Sequence, residues 1–111
     1  MAWSVSASSA GGPYAATATT TLCSLTSSTG TFVFSIDMSN MVNGDLFRVH
    51  VLSSVSSSTT PVQVWVGAWQ HVQMNPGKIS PPIPSTCPFS VTFESLAGST
   101  TNTYPWQVLS I

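Results

Sequence analysis

The chain has 111 residues, enough for one domain. Only 5% of them are charged, for a net charge of −1, against about 25% in an average soluble protein. Two cations, Arg48 and Lys78, are too few to displace counterions from nucleic acid, and no apolar run approaches the roughly 20 residues of a membrane-spanning helix, so neither partner is expected.

Hydroxyls take the place of charges. The sequence holds 20 Ser and 14 Thr, which hydrate a surface without repelling another copy of it. Such a surface suits close and lasting self-association.

In chain order, the first 30 residues are rich in Ser, Thr, Ala and Gly and have few apolar anchors; the sequence predicts an arm, with Ser8 to Pro13 mobile, followed by a first strand over Thr17 to Leu25. The start lacks the basic and apolar regions of a secretory signal, and synthesis in a cytosol is expected. The main body is expected over residues 31 to 111. Thr31 to Met38 alternates, placing Phe32, Phe34, Ile36 and Met38 on one face of a half-buried strand. A single helical turn is expected over Ser39 to Val42, and Asn43-Gly44-Asp45 is a turn signal because Asn and Gly tolerate positive φ. Leu46 to Val55 sets Phe47, Val49, Val51 and Val55 against Arg48, His50, Ser54 and Ser56.

Ser53 to Thr60 reads as a flexible connection that ends at Pro61. In Val62 to His71 the valines and Ala68 take one side, with Gln63, Trp65, Gly67, Trp69 and His71 on the other. Asn75 to Pro88 holds Pro76, Pro81, Pro82, Pro84 and Pro88 and reads as an extended loop, polyproline-like in part, in which no central strand fits, since proline has no backbone donor. Phe89 to Leu96 follows with Phe89, Val91 and Phe93 inward. Ala97-Gly98-Ser99 then turns the chain into a last strand from Thr103 to Ile111, whose Pro105 points to a sheet edge. Short strands, Gly and Pro turns and no helical period predict an all-β fold, an antiparallel β-sandwich or jelly-roll-like barrel.

Reactive groups are sparse, and no enzymatic activity is expected. The carboxylates Asp37, Asp45 and Glu94 fall on polar faces or in a turn, and no Gly-x-Ser-x-Gly elbow accompanies the many serines. His50, His71, Cys23 and Cys87 show no paired short spacing of a metal site, although a cross-strand pair of the two histidines is conceivable. No cofactor is expected. Cys23 and Cys87 can alternatively form one disulfide, worth about 4 kcal/mol in a chain-entropy account, or remain buried thiols. The strongest binding candidates are aromatic: Trp65 and Trp69 on one face, and Tyr104 with Trp106 near an edge. These, with His71 and the Pro81-Pro82 loop, are candidate interface residues; the tryptophans admit three readings, a second core layer, subunit contact or sugar stacking.

Over residues 30 to 111 the order of motifs resembles a group of small bacteriophage virion proteins. It reads Phe34-Ser35-Ile36-Asp37-Met38-Ser39-Asn40-Met41-Val42-Asn43-Gly44-Asp45, then Ser80-Pro81-Pro82-Ile83-Pro84, then Ala97-Gly98-Ser99-Thr100 and Tyr104-Pro105-Trp106-Gln107-Val108-Leu109. The chain departs from that pattern in the few charges of its second strand and in its Ser/Thr run. The resemblance implies a virion component, a capsid decoration or cement subunit bound to the major capsid protein, and transfers no catalytic residue. A homo-oligomer, for instance a trimer, is expected. A tail, neck or fibre subunit is the alternative within that class, and a carbohydrate-binding module for host attachment the alternative outside it.

Overall fold

The computed structural model describes residues 3–11, 19–25, 30–54, 60–85, 88–98 and 102–111. These residues form nine strands and no helix: β1 (Ser4–Gly11), β2 (Thr19–Leu25), β3 (Gly30–Asp37), β4 (Leu46–Ser53), β5 (Val62–Gln70), β6 (Gly77–Ile79), β7 (Ile83–Ser85), β8 (Phe89–Ala97) and β9 (Tyr104–Ser110). Two antiparallel sheets pack face to face. One has the order β1-β9-β3-β6, with β7 also on β3, and the other the order β2-β8-β4-β5. Among the described residues both have free edges, so the architecture is an open β-sandwich and not a closed barrel.

Alternation decides which side chains fill the space between the sheets. Phe32, Phe34 and Ile36 of β3, with Met38 just beyond it, are almost wholly buried, as are Phe47, Val49 and Val51 of β4 and Phe89, Val91 and Phe93 of β8. Each such side chain contributes about 1.5–3 kcal/mol on burial, and aromatic pairs add geometric preference. Phe47 and Phe93 approach to 5.1 Å between centroids, and Phe32 and Phe89 to 4.8 Å. The inward stripe of β4 ends on Ser53 and that of β8 on Ser95, both fully buried.

The N-terminal segment is built into the sandwich. Ser4 to Gly11 pairs with β9 from Ser110 back to Tyr104, so Ser8 to Gly11 are strand residues and not a mobile arm; Pro13 lies outside the described residues. The physical reason is that small side chains suit an edge strand, whose backbone groups are satisfied by β9 whatever the apolar content. β2 begins at Thr19 and pairs with β8.

Four further expectations change. Ser39 and Asn40 form a turn closed by Met41 N–H donating to Met38 O at 3.1 Å, not a helical turn. Ser54 is buried, its N–H donating to Pro88 O at 3.2 Å, and Val55 lies outside the described residues. The proline loop contributes two short strands, because each of its prolines lies clear of the donors the ladder uses. Between them Ser80 bridges the gap: its N–H donates to Phe34 O at 2.8 Å and its hydroxyl accepts from Phe34 N–H at 3.0 Å, beside Pro81 and Pro82, which have no donor. β9 is an interior strand, flanked by β1 and β3. Its pairing with β3 stops at Trp106, one residue short of Pro105, which resolves the apparent conflict between proline and an interior place.

Candidate functional site

In β5 the pairing with β4 runs regularly from Gln70 opposite Leu46 to Trp65 opposite Val51, then slips so that Gln63 faces Leu52. Val64 is the extra residue of a β-bulge, and beyond it the faces exchange. Gln63 thereby leaves the tryptophan face and joins the outer one, beside His50. The valine side is the exposed side in the regular run, with Val64 and Val66 36% and 44% accessible, while Val62, beyond the bulge and opposite Ser53, is 46% accessible on the other face at the end of the strand. Trp65 and Trp69 turn inward, half-buried against the core at the lateral rim of the sandwich.

Gly67 makes room for them. A Cβ there would lie 2.5 Å from the Trp69 ring and 3.0 Å from that of Trp65, so both indoles lean over the glycine, 6.3 Å apart and inclined at 47°. Lys78, opposite Ile36 in the β3–β6 ladder, reaches across from the other sheet and sets Nζ 5.8 Å from the centre of the Trp69 ring, a cation–π contact.

The other aromatic candidates are core residues and not interface residues. Tyr104 is fully buried, stacked on Phe93 at 5.6 Å with Phe47 edge-on at the same distance. Trp106 is 8% accessible and packs 6.4 Å from Phe34. Both lie on the inner face of β9, a consequence of its interior place. The Tyr104 hydroxyl has no hydrogen-bond partner of normal geometry; burial first, and then the Asp45 carboxylate, push its pKa up to about 12, only partly opposed by the Asn102 side chain.

Asp45 is not a solvated turn acid but the buried centre of the turn between β3 and β4. Its carboxylate accepts from Val42 N–H at 2.9 Å, its N–H donates to Val42 O at 3.1 Å and its carbonyl accepts from His71 N–H at 2.8 Å. His71, exposed and with φ of 63°, takes the Gly44 N–H on Nδ1 at 2.9 Å. Its place is therefore a local clasp between two turns. It lies beyond the end of β5 while His50 pairs with Val66, so the two histidines do not meet across strands. Pro81 and Pro82 are exposed, as an interface role requires.

On the outer face of the second sheet, Gln63 Oε1 meets His50 Nδ1 at 2.5 Å, His50 Nε2 meets Glu94 at 3.0 Å, and Arg48 stands 3.6 Å from the same carboxylate oxygen. This chain crosses three strands. Such half-exposed contacts contribute at most about 1 kcal/mol each. On the first sheet a shallow groove of about 480 Å³ is lined by Ser35, Asp37, Ser39, Ile79, Pro105 and Gln107 among others. Asp37 there accepts from both the N–H and the hydroxyl of Ser39, which hold its carboxyl below the usual range. Among the described residues no group of three or more His, Cys, Asp and Glu side chains is placed to hold a metal ion.

Cys23 is a buried thiol opposite Val91, and burial pushes its pKa up; Cys87 lies outside the described residues, and with it the pairing considered above. Three features of these surfaces are not evident from the sequence patterns. The buried Asp45 had a signal in the Asn-Gly-Asp turn set between two apolar strands, and Gly67 had one in its place between two tryptophans. The Asp37 groove had none, being made by β6, a strand the prolines conceal.

No protein-family model, no curated protein and no solved structure matches this chain.

Proposed function

We propose that this chain is a non-enzymatic structural subunit of a bacteriophage virion, a decoration or cement protein that binds the head lattice and bridges major capsid subunits. The observation that carries the proposal is how the five charges are spent. Asp45 is buried, Glu94 is engaged by Arg48 and His50, Lys78 lies over an indole, and Asp37 caps a turn, so among the described residues the charges facing solvent are chiefly Asp37 and Arg48, set in a surface of hydroxyl, amide and aliphatic groups. A surface of that kind has little to repel a neighbour and adds modest contacts that a lattice multiplies. The exposed Pro81 and Pro82 and the outer valines of β5 are the surfaces offered to such neighbours.

Sugar stacking is less well supported, since Trp65 and Trp69 are inclined to each other and pack inward and so offer no flat platform. The test is to locate the chain on purified particles by image reconstruction, and to compare the heat and osmotic resistance of particles with and without it. Density on the head and loss of resistance on stripping are expected. Density at the tail, neck or fibres, or unchanged resistance, overturns the cement role.

A further inference from the structure

We propose that β5 is the docking edge for a second copy of this chain, which adds its own β5 antiparallel across a twofold axis to make one continuous sheet of eight strands. The free edge of a sheet presents unpaired backbone donors and acceptors, and proteins blunt it with charges, prolines, bulges or short length. β6 and β7 are three residues each and punctuated by Pro81, Pro82 and Pro84. β2 is interrupted by a bulge between Thr21 and Cys23, and β1, past its own bulge, offers a partner only Ala, Ser and Gly. β5 differs from these in the run it leaves open: its bulge at Val64 leaves Trp65 to Gln70 regular, without charge or proline, and that run carries Trp65, Val66 and Trp69.

The strand is also complementary to itself. If both indole faces are to stay on the same side of the joined sheet, a residue must oppose one of the same parity. Two such registers pair five residues within the regular run, centred on Gly67 or on Ala68; only the first sets indole against indole, with Trp65 against the partner's Trp69, Val66 against the partner's Ala68, and Gly67 against its own copy. Large faces small on the outer side, no charge opposes a like charge, and four indoles gather around two residues without side chains. Directly opposed side chains in such a pair sit about 4.5–5.5 Å apart, close enough to cover one another. This accounts for two features that are otherwise costly in an isolated subunit, a run of exposed valines and a pair of half-covered tryptophans at a sandwich rim. The net charge of −1 per chain sets little repulsion against the union. An isologous contact of this type closes on itself as a dimer.

The inference deepens the assembly reading and its biological use rests on that reading, but the pairing is tested on the purified full chain alone. Sedimentation should show a concentration-dependent dimer. Two variants, Val66→Lys with Ala68→Lys and Val66→Glu with Ala68→Glu, should each run as folded monomers by sedimentation and circular dichroism, and a 1:1 mixture should recover the dimer. Hydrogen exchange on the unaltered chain supplies a readout that needs no variant: β5 amides should slow as concentration rises, while those of β1 do not. A monomer at every concentration, variants that still dimerise, a mixture that stays monomeric, or β5 exchange independent of concentration overturns the pairing. A dimer confirmed in solution but absent from particles would defeat the virion reading and leave the pairing standing.

Discussion

Gly98 and Gly44 have nearly the same backbone, with φ of 112° and 101°, and opposite surroundings. A Cβ on Gly44 would meet nothing within 4 Å, whereas one on Gly98 would lie 2.6 Å from the Asp45 Cα and 2.9 Å from its Cγ. Replacing either glycine by alanine incurs the cost of a left-handed backbone, about 1–2 kcal/mol. Gly98→Ala adds a collision with backbone that is anchored by the Val42 and His71 hydrogen bonds, and overpacking of this sort costs about 1–3 kcal/mol more. The expected losses are thus about 1–2 kcal/mol for Gly44→Ala and about 2–5 kcal/mol for Gly98→Ala, a central difference of about 2 kcal/mol. With an unfolding entropy of about 2.1 cal/mol/K per residue, each kcal/mol lowers Tm by about 4 °C in a chain of 111 residues. Scanning calorimetry should therefore separate the two variants by roughly 8 °C. Equal losses would refute the role assigned to the Gly98–Asp45 contact, since the backbone cost alone would then explain both.

Three further outcomes follow from the same geometry. Tyr104 has its pKa raised from an ordinary 10 to about 12, so its contribution is intact below pH 10 and is lost as pH climbs toward 12, by up to about 2–3 kcal/mol. Tyr104→Phe keeps the ring, removes an unpartnered hydroxyl and should change stability by less than about 1 kcal/mol at neutral pH while flattening the alkaline decline in urea titrations; parallel declines would refute the assignment. Cys23, buried and with its thiol disfavoured as thiolate, should resist alkylation in the native chain and react once urea unfolds it, as read by peptide mass mapping. Gly67→Ala should push the Trp69 ring off its seat, at a cost of about 1–2 kcal/mol and with a shift in tryptophan emission; an unchanged spectrum would mean that the ring does not rest on the glycine.

The legible parts of the fold were those where one face is apolar and the other polar without interruption. β3, β4 and β8 were readable to within a residue or two because Phe32 to Met38, Phe47 to Val51 and Phe89 to Phe93 alternate strictly. β1 was not, because Ser, Ala and Gly carry no period and the strand is specified by its partner β9. β6 and β7 were hidden by prolines that exclude a central strand but allow short edges. The face of β5 was misassigned at Gln63, since one extra residue at Val64 reverses parity and a bulge leaves no composition signal. Pro105 points to an edge and so makes its neighbours Tyr104 and Trp106 read as interface candidates, when it marks only where pairing with β3 stops.

The order in which strands find their partners has a cost in time. Among the described strands only β4 and β5 pair as sequence neighbours, whereas β2 must wait for β8 and β1 for β9, so that Ser4 lies opposite Ser110. During vectorial synthesis neither sheet can be finished until its last strand has left the ribosome, and topologies of such long-range pairing fold slowly, in milliseconds to seconds. Through that interval the uncharged β5, on the hairpin it forms with β4, stands with an open flank, and premature association at that flank is the hazard a growing chain of this design must survive.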